Sequence, residues 1–148
     1  MARRRQREGT REVKYVYVYL IATVIFLGLD ALWLGVVAKN FYQAQIGELM
    51  LDKPRFGVAA GFYAIYVVGL LYFALVPALN EGSLPKVLVA SLLFGFFCYA
   101  TYEATNLATL RGWTNAMAAA DIAWGTVLTA IAGCVTYAIV QGIGFWHA

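Results

Sequence analysis

Four long apolar stretches occupy most of this 148-residue chain and leave it few ways to fold. A helix needs roughly 20 apolar residues to cross about 30 Å of hydrocarbon, where every backbone hydrogen bond must be satisfied internally. The composition agrees, because 62% of the residues are hydrophobic and only 13% are charged, against about 25% in soluble domains. We therefore predict an all-α integral membrane four-helix bundle, with spans at about 15–38, 56–79, 86–109 and 116–141.

The connections between these spans carry turn and cap signals. Ser83 and Thr114 precede the third and fourth spans as candidate N-caps. Arg111-Gly112 forms a very short turn, so the last two helices should be antiparallel neighbours. Only the connection at 39–55 is long, and its apolar residues predict a short interfacial helix that either covers the bundle or packs on lipid. Small residues at four-residue spacing predict close helix contacts at Gly57 and Gly61, Ser91 and Gly95, and Gly125, Thr129 and Gly133.

Positive charge is concentrated at the N-terminus, where six of the eleven Lys and Arg residues precede residue 15. We divide the chain into a basic tail at 1–14 and a single four-span domain at 15–148. The positive-inside rule then places the N-terminus, and with four spans also the C-terminus, in the cytoplasm of a multi-pass membrane protein. We expect the tail to anchor the first helix rather than bind nucleic acid. The residues are Arg3, Arg4, Arg5, Arg7, Arg11 and Lys14.

Three carboxylates interrupt the apolar spans: Asp30, Glu103 and Asp121. An ionised side chain in hydrocarbon costs from about 2.5 to more than 10 kcal/mol, so each acid needs a partner or a function. Counting about 1.5 Å per residue from the span ends puts all three roughly 9–12 Å below the same face. The sequence therefore predicts one polar layer in the outer-leaflet half of the bundle.

Other polar and aromatic side chains should share this layer. Trp33 and Trp124 each follow an aspartate by three residues, so each indole can donate to a buried acid. Arg111 lies at the rim, where it is positioned to recognise an anionic group or pair with an acid. The predicted site consists of Asp30, Glu103, Asn106, Asp121, Arg111, Tyr63, Tyr99, Trp33 and Trp124, and any metal there would use Asp30, Glu103 and Asp121.

Several segments resemble a known family. These are Leu29 to Trp33, Phe62-Tyr63, Tyr66 to Gly69, Tyr99 to Trp113 and Asp121 to Gly125, and the run from Tyr102 to Trp113 (YEATNLATLRGW) is the most specific. They are similar to the bacterial membrane proteins grouped as domain of unknown function 2177. The resemblance covers nearly everything after the basic tail. It implies a small inner-membrane protein, usually with Asp at the position of Glu103, and no particular activity.

The sequence leaves the function open between two classes. The first is a site for a small molecule, lipid head group, proton or hard cation built on the acids. The second is a non-catalytic structural or assembly subunit whose polar layer fixes helix packing. Either class is compatible with a homo-oligomer or a larger membrane complex. No hydrolase, metalloprotease or phosphate-binding motif is present, so we expect no cofactor and favour a protein that is not an enzyme.

Overall fold

The computed structural model describes the backbone of residues 2–147, and side chains from residue 12 to 147 except that of residue 37. The chain is 86% helical and contains no strand within this described part, which confirms the all-α prediction. Four segments are long and apolar enough to cross a membrane, so the predicted number of spans is also confirmed. They are Glu12–Val36, Phe56–Glu81, Leu84–Thr109 and Asn115–Gly142.

Six α-helices and three short helical turns make up residues 2–147, the part whose backbone is described. The backbone of the basic segment is helical and continuous with the first span, while its side chains up to residue 11 lie outside the described residues. The α-helices are α1 (Ala2–Leu32), α2 (Lys39–Ile46), α3 (Phe56–Leu70), α4 (Val76–Glu81), α5 (Leu84–Thr109) and α6 (Asn115–Gly142). The turns are π-helical at Trp33–Val37 and Leu71–Leu75 and 3₁₀ at Gly47–Leu49.

The closest helix pair is the antiparallel hairpin of α5 and α6, as the short turn at Arg111-Gly112 predicts. Ser83 and Thr114 cap these helices by accepting hydrogen bonds from the backbone N–H groups of Lys86 and Met117, at 3.3 and 3.2 Å. Both N-cap predictions are therefore confirmed. Gly112 closes the turn with φ +80°, a conformation that L side chains rarely adopt.

Small residues bring α5 and α6 together. A Cβ atom at Gly95 would lie 2.7 Å from the carbonyl oxygen of Gly125, so the hairpin requires glycine there. Gly133 faces Ser91 in the same way, which confirms the predicted close contact. The corresponding prediction for Gly57 and Gly61 is wrong, because nothing lies within 4 Å of a Cβ atom at either position.

The second span explains why those two glycines are unpacked. Its lower part, the π-helical turn Leu71–Leu75, packs against α5, whereas α3 packs mainly on α1 and diverges from α5. The π-helical turn precedes Pro77, whose missing N–H would disrupt a regular α-helix. The second and third spans therefore separate toward the N-terminal end of α3.

The short helix α2 folds back over the start of α6. Tyr42 and Ala38 are buried against Met117, and the Thr114 hydroxyl donates to Gln45 Oε1 at 2.5 Å. Of the two predicted positions for this segment, the structure therefore shows the one that covers the bundle. The lid it forms lies over the end of the bundle that carries the buried acids.

The start of the first span and the C-terminal segment meet at the opposite end of the bundle. The Lys14 ammonium donates to the Trp146 carbonyl oxygen at 2.9 Å, and the Tyr15 and Trp146 rings meet edge to face at 5.7 Å. The start of the first span and the end of the last therefore lie on one side.

Candidate functional site: a carboxylate-lined cavity

A cavity of about 1090 Å³ lies beneath α2, in the gap between α3 and α5. Its volume is slightly above the range of about 300–1,000 Å³ that is common for small-molecule pockets. Asp30 and Asp121 both line it, so the structure brings two of the predicted acids to one space. The aromatic side chains in its wall are Trp33, Tyr42, Phe62, Tyr63, Tyr66, Tyr99, Tyr102 and Trp124.

Asp30 is the more buried of the two cavity acids, with only 6% of its surface exposed. The Tyr63 hydroxyl donates to its Oδ2 atom, and the Trp124 indole N–H donates weakly to its Oδ1 atom at 3.4 Å. These donors come from the second and fourth spans, so the carboxyl group links three helices. All the donors are neutral, and no described cation pairs with Asp30.

Asp121 is half-buried and accepts a hydrogen bond from the Tyr42 hydroxyl. Tyr42 in turn accepts a weak hydrogen bond from the Trp33 indole N–H at 3.4 Å. Burial, and then the bond to Asp121, raise the pKa of Tyr42 above its usual value, so its hydroxyl keeps its proton over the physiological range. The short helix α2 therefore contributes a neutral donor to the acid.

The indoles of Trp33 and Trp124 stack in the middle of this arrangement. Their ring centroids are 4.3 Å apart and their planes differ by 9°. Because Trp124 donates to Asp30 and Trp33 donates to Tyr42, the stacked pair connects the two acids through a continuous series of contacts. Trp33 begins the π-helical turn at the end of the first span, a feature that is frequent at functional sites.

Glu103 lies behind this cavity and does not line it. Its side chain is fully buried, and the Trp113 indole N–H donates to its Oε2 atom at 2.6 Å. The Oε1 atom has no hydrogen-bond partner among the described residues, although the carboxyl group is close enough to Asp121 to interact with it. The third acid therefore reaches the site only through Asp121.

The remaining predicted site residues divide into two groups. Tyr63 and Tyr99 line the cavity, and the Tyr99 ring packs on Gly125. Asn106 and Arg111 do not line it. Among the residues whose side chains are described, the buried Asn106 side-chain nitrogen has no hydrogen-bond partner, and the exposed Arg111 forms no ion pair.

Several cavity residues were not in the predicted site, and they include two that carry polar or charged groups from outside the spans. Tyr42 and Arg55 both belong to the long connection between the first two spans, which hydropathy places outside the bundle. The amphipathic pattern of that connection was the available signal, but periodicity does not show which side chain reaches inward. Trp113, the donor to Glu103, lies in the turn after α5.

The geometry does not favour a metal centre on the three acids. No group of three His, Cys, Asp or Glu side chains among the described residues is arranged to hold a metal ion. The predicted ligand set of Asp30, Glu103 and Asp121 is therefore not brought together among the described residues, and the Trp113 indole N–H donates to Glu103 instead.

These features define a multi-pass α-helical membrane protein with an aromatic, carboxylate-lined cavity beneath a short covering helix. The model of the family described as "Predicted membrane protein (DUF2177)" matches residues 15–138, and the chain belongs to that family. No curated protein and no solved structure matches the chain.

Proposed function

We propose that this protein binds a small molecule or a lipid head group in the cavity lined by Asp30 and Asp121. One observation carries the proposal: two acids from different spans face one cavity, and only neutral Tyr and Trp donors bind them. An ionised acid is costly to hold in a membrane without a cation, so helix packing alone does not account for the presence of both acids. A ligand that supplies donors or positive charge would offset that cost.

The residue roles follow from position. Asp30 and Asp121 accept hydrogen bonds from the ligand or pair with its positive charge. Tyr63 and Trp124 orient Asp30. Trp33, Tyr99 and the other rings supply the apolar wall. Glu103 acts through Asp121 as a positioning residue. Arg111 and Asn106 stand outside this proposal.

A second candidate function is that of a non-catalytic structural or assembly subunit, either in a homo-oligomer or in a larger membrane complex. The observation that favours it is the bond between Glu103 and Trp113, which is buried away from the cavity and ties α5 to the turn before α6. This candidate predicts that neutral replacements of the acids alter stability and leave no bound molecule to lose.

We also infer that the protein sits in the bacterial inner membrane with both termini in the cytoplasm. The basic residues before the first span support this orientation. A green fluorescent protein fused after residue 148 should fluoresce in cells, whereas alkaline phosphatase at the same position should be inactive. The opposite pair of results would reverse the orientation.

Native mass spectrometry tests the binding proposal. Protein extracted in a mild detergent should carry a stoichiometric small-molecule or lipid adduct, which Asp30→Asn and Asp121→Asn should lose while remaining folded. Glu81→Gln is the matched control, because Glu81 is an exposed acid paired with Lys86 and does not line the cavity. Adducts of equal occupancy in all four proteins would contradict the proposal.

A further inference from the structure

We propose that the ligand of this cavity carries an organic ammonium group, or an equivalent organic cation, on a hydrophobic body. The inference rests on the proposed function and specifies its ligand class. It combines two features of the cavity. The first is the charge of its floor, which is formed by Asp30 and Asp121, and the second is the chemistry of its aromatic wall.

The floor lacks positive charge. Asp30 is 6% exposed, and its partners Tyr63 and Trp124 are neutral. Asp121 also has a neutral partner, Tyr42, and its other neighbour Glu103 is a further acid. Burial of Asp30 reduces the screening of its charge, so a cation beside it interacts more strongly than a cation beside an exposed acid.

The wall favours a cation with apolar substituents. Aromatic rings carry negative charge on their faces and attract cations, organic ammonium ions above all. Phe62, Tyr66 and Tyr99 line the cavity together with the stacked indoles, so rings contributed by four spans surround one space. An inorganic ion would leave most of this aromatic surface unused, and no described group of acids is arranged to hold one.

Two cations also line the cavity, but at its exposed margin. Lys39 and Arg55 are solvent-exposed, and the exposed acid Asp52 lies in the same segment as Arg55. Solvent and salt screen such charges, so they change the field at the floor less than the buried acids do. The cavity is therefore polarised, with its uncompensated acids innermost.

A pair of ligands with the same shape and opposite charge tests this inference without any substitution. Tetraphenylphosphonium is a hydrophobic cation, and tetraphenylborate is an anion of the same size and shape. Trp33 and Trp124 line the cavity, so ligand binding should change the tryptophan fluorescence of the full-length protein in dodecyl maltoside micelles, whose head groups carry no ammonium group. We expect saturable binding of the cation and, at equal concentration, no saturable binding of the anion.

Two aspartate variants test whether the cation binds at the floor of the cavity. Asp30→Asn and Asp121→Asn should each weaken cation binding by at least about thirtyfold, the lower end of the scale for removing one partner of a buried charge pair. Glu81→Gln should bind like the wild type. Adding phosphatidylethanolamine to the micelles separates two sources of the group: competition supports a lipid ammonium group, and unchanged binding supports a free amine.

The failures are distinguishable. Anion binding as tight as cation binding, or cation binding that neither aspartate variant weakens, would overturn the cation inference. The proposed function would still stand if a natural adduct were lost in the same variants. Absence of both a natural adduct and any cation binding would overturn the two together.

Discussion

Trp33 at the end of the first span and Trp124 in the fourth stack with their indole planes 9° apart. The Trp124 indole donates a hydrogen bond to Asp30, whereas the Trp33 indole donates to Tyr42, which in turn donates to Asp121. The stacked pair therefore holds the two carboxyl groups in a fixed relation on one cavity wall. Offset stacking of aromatic rings contributes about 0.5–1.5 kcal/mol beyond the area that the rings bury. The rings thus serve both the packing of the helices and the shape of the site.

Replacing either stacked indole should remove a spectroscopic signature of the pair. Two closely stacked indoles couple electronically and give a circular dichroism couplet in the ultraviolet. Trp33→Phe and Trp124→Phe should each abolish it, whereas Trp146→Phe, which removes an indole at the other end of the bundle, should preserve it. A couplet that survives in both of the first two variants would contradict the stacked arrangement.

The buried bond between Trp113 and Glu103 should matter for stability. Trp113→Phe removes the one neutral donor that the described residues provide to the buried Glu103 carboxyl group, which should cost about 1–3 kcal/mol. Glu103→Gln keeps an acceptor for the indole and removes the charge, so it should cost less. Denaturant unfolding in detergent micelles measures both variants, and the reverse order would refute this role.

Tyr42 should hold the covering helix in place. Tyr42→Phe removes the hydroxyl that donates to Asp121 and leaves the ring, so α2 should open more often while α5 and α6 stay intact. Hydrogen exchange followed by mass spectrometry should show faster exchange confined to residues 39–49. Tyr72→Phe is the control, because Tyr72 is 72% exposed and does not line the cavity. Equal exchange in both variants would show that the hydroxyl does not anchor α2.

The two glycine patterns should respond oppositely to alanine. Gly95→Ala forces a methyl group against the Gly125 carbonyl, so α5 and α6 must move apart at a cost of about 1–3 kcal/mol. Gly61→Ala meets no atom within 4 Å and should be neutral or stabilising by up to about 1 kcal/mol through helix propensity. Thermal unfolding in detergent measures both, and similar losses would contradict the difference in packing.

The sequence was sufficient to predict the spans because hydropathy depends only on which residues meet lipid. It also predicted that Asp30 and Asp121 belong together, since depth in a bundle follows from the number of residues per span. It did not predict that α3 leaves α5, which depends on the π-helical turn at Leu71–Leu75 and its packing. That divergence opens the cavity and leaves Gly57 and Gly61 unpacked.

Side-chain direction was the other property that the sequence did not reveal. Arg111 is close to Glu103 in the sequence, yet it points outward, and the indole of Trp113 contacts the acid instead. Tyr42 enters the site from a segment that connects two spans. Both outcomes depend on how the turn and the covering helix pack on the start of α6, and such packing joins residues that are distant in sequence.

The most direct measurement of a ligand in the cavity uses Cys98, which lines it, in a Cys134→Ser background. The rate at which a small, membrane-permeant maleimide modifies Cys98 is measured in native membranes, with and without Asp121→Asn. If the cavity holds a ligand through Asp121, Cys98 should react slowly in the protein that retains Asp121 and markedly faster in the Asp121→Asn variant. Equal rates, with both proteins folded, would contradict the claim that this cavity is a binding site.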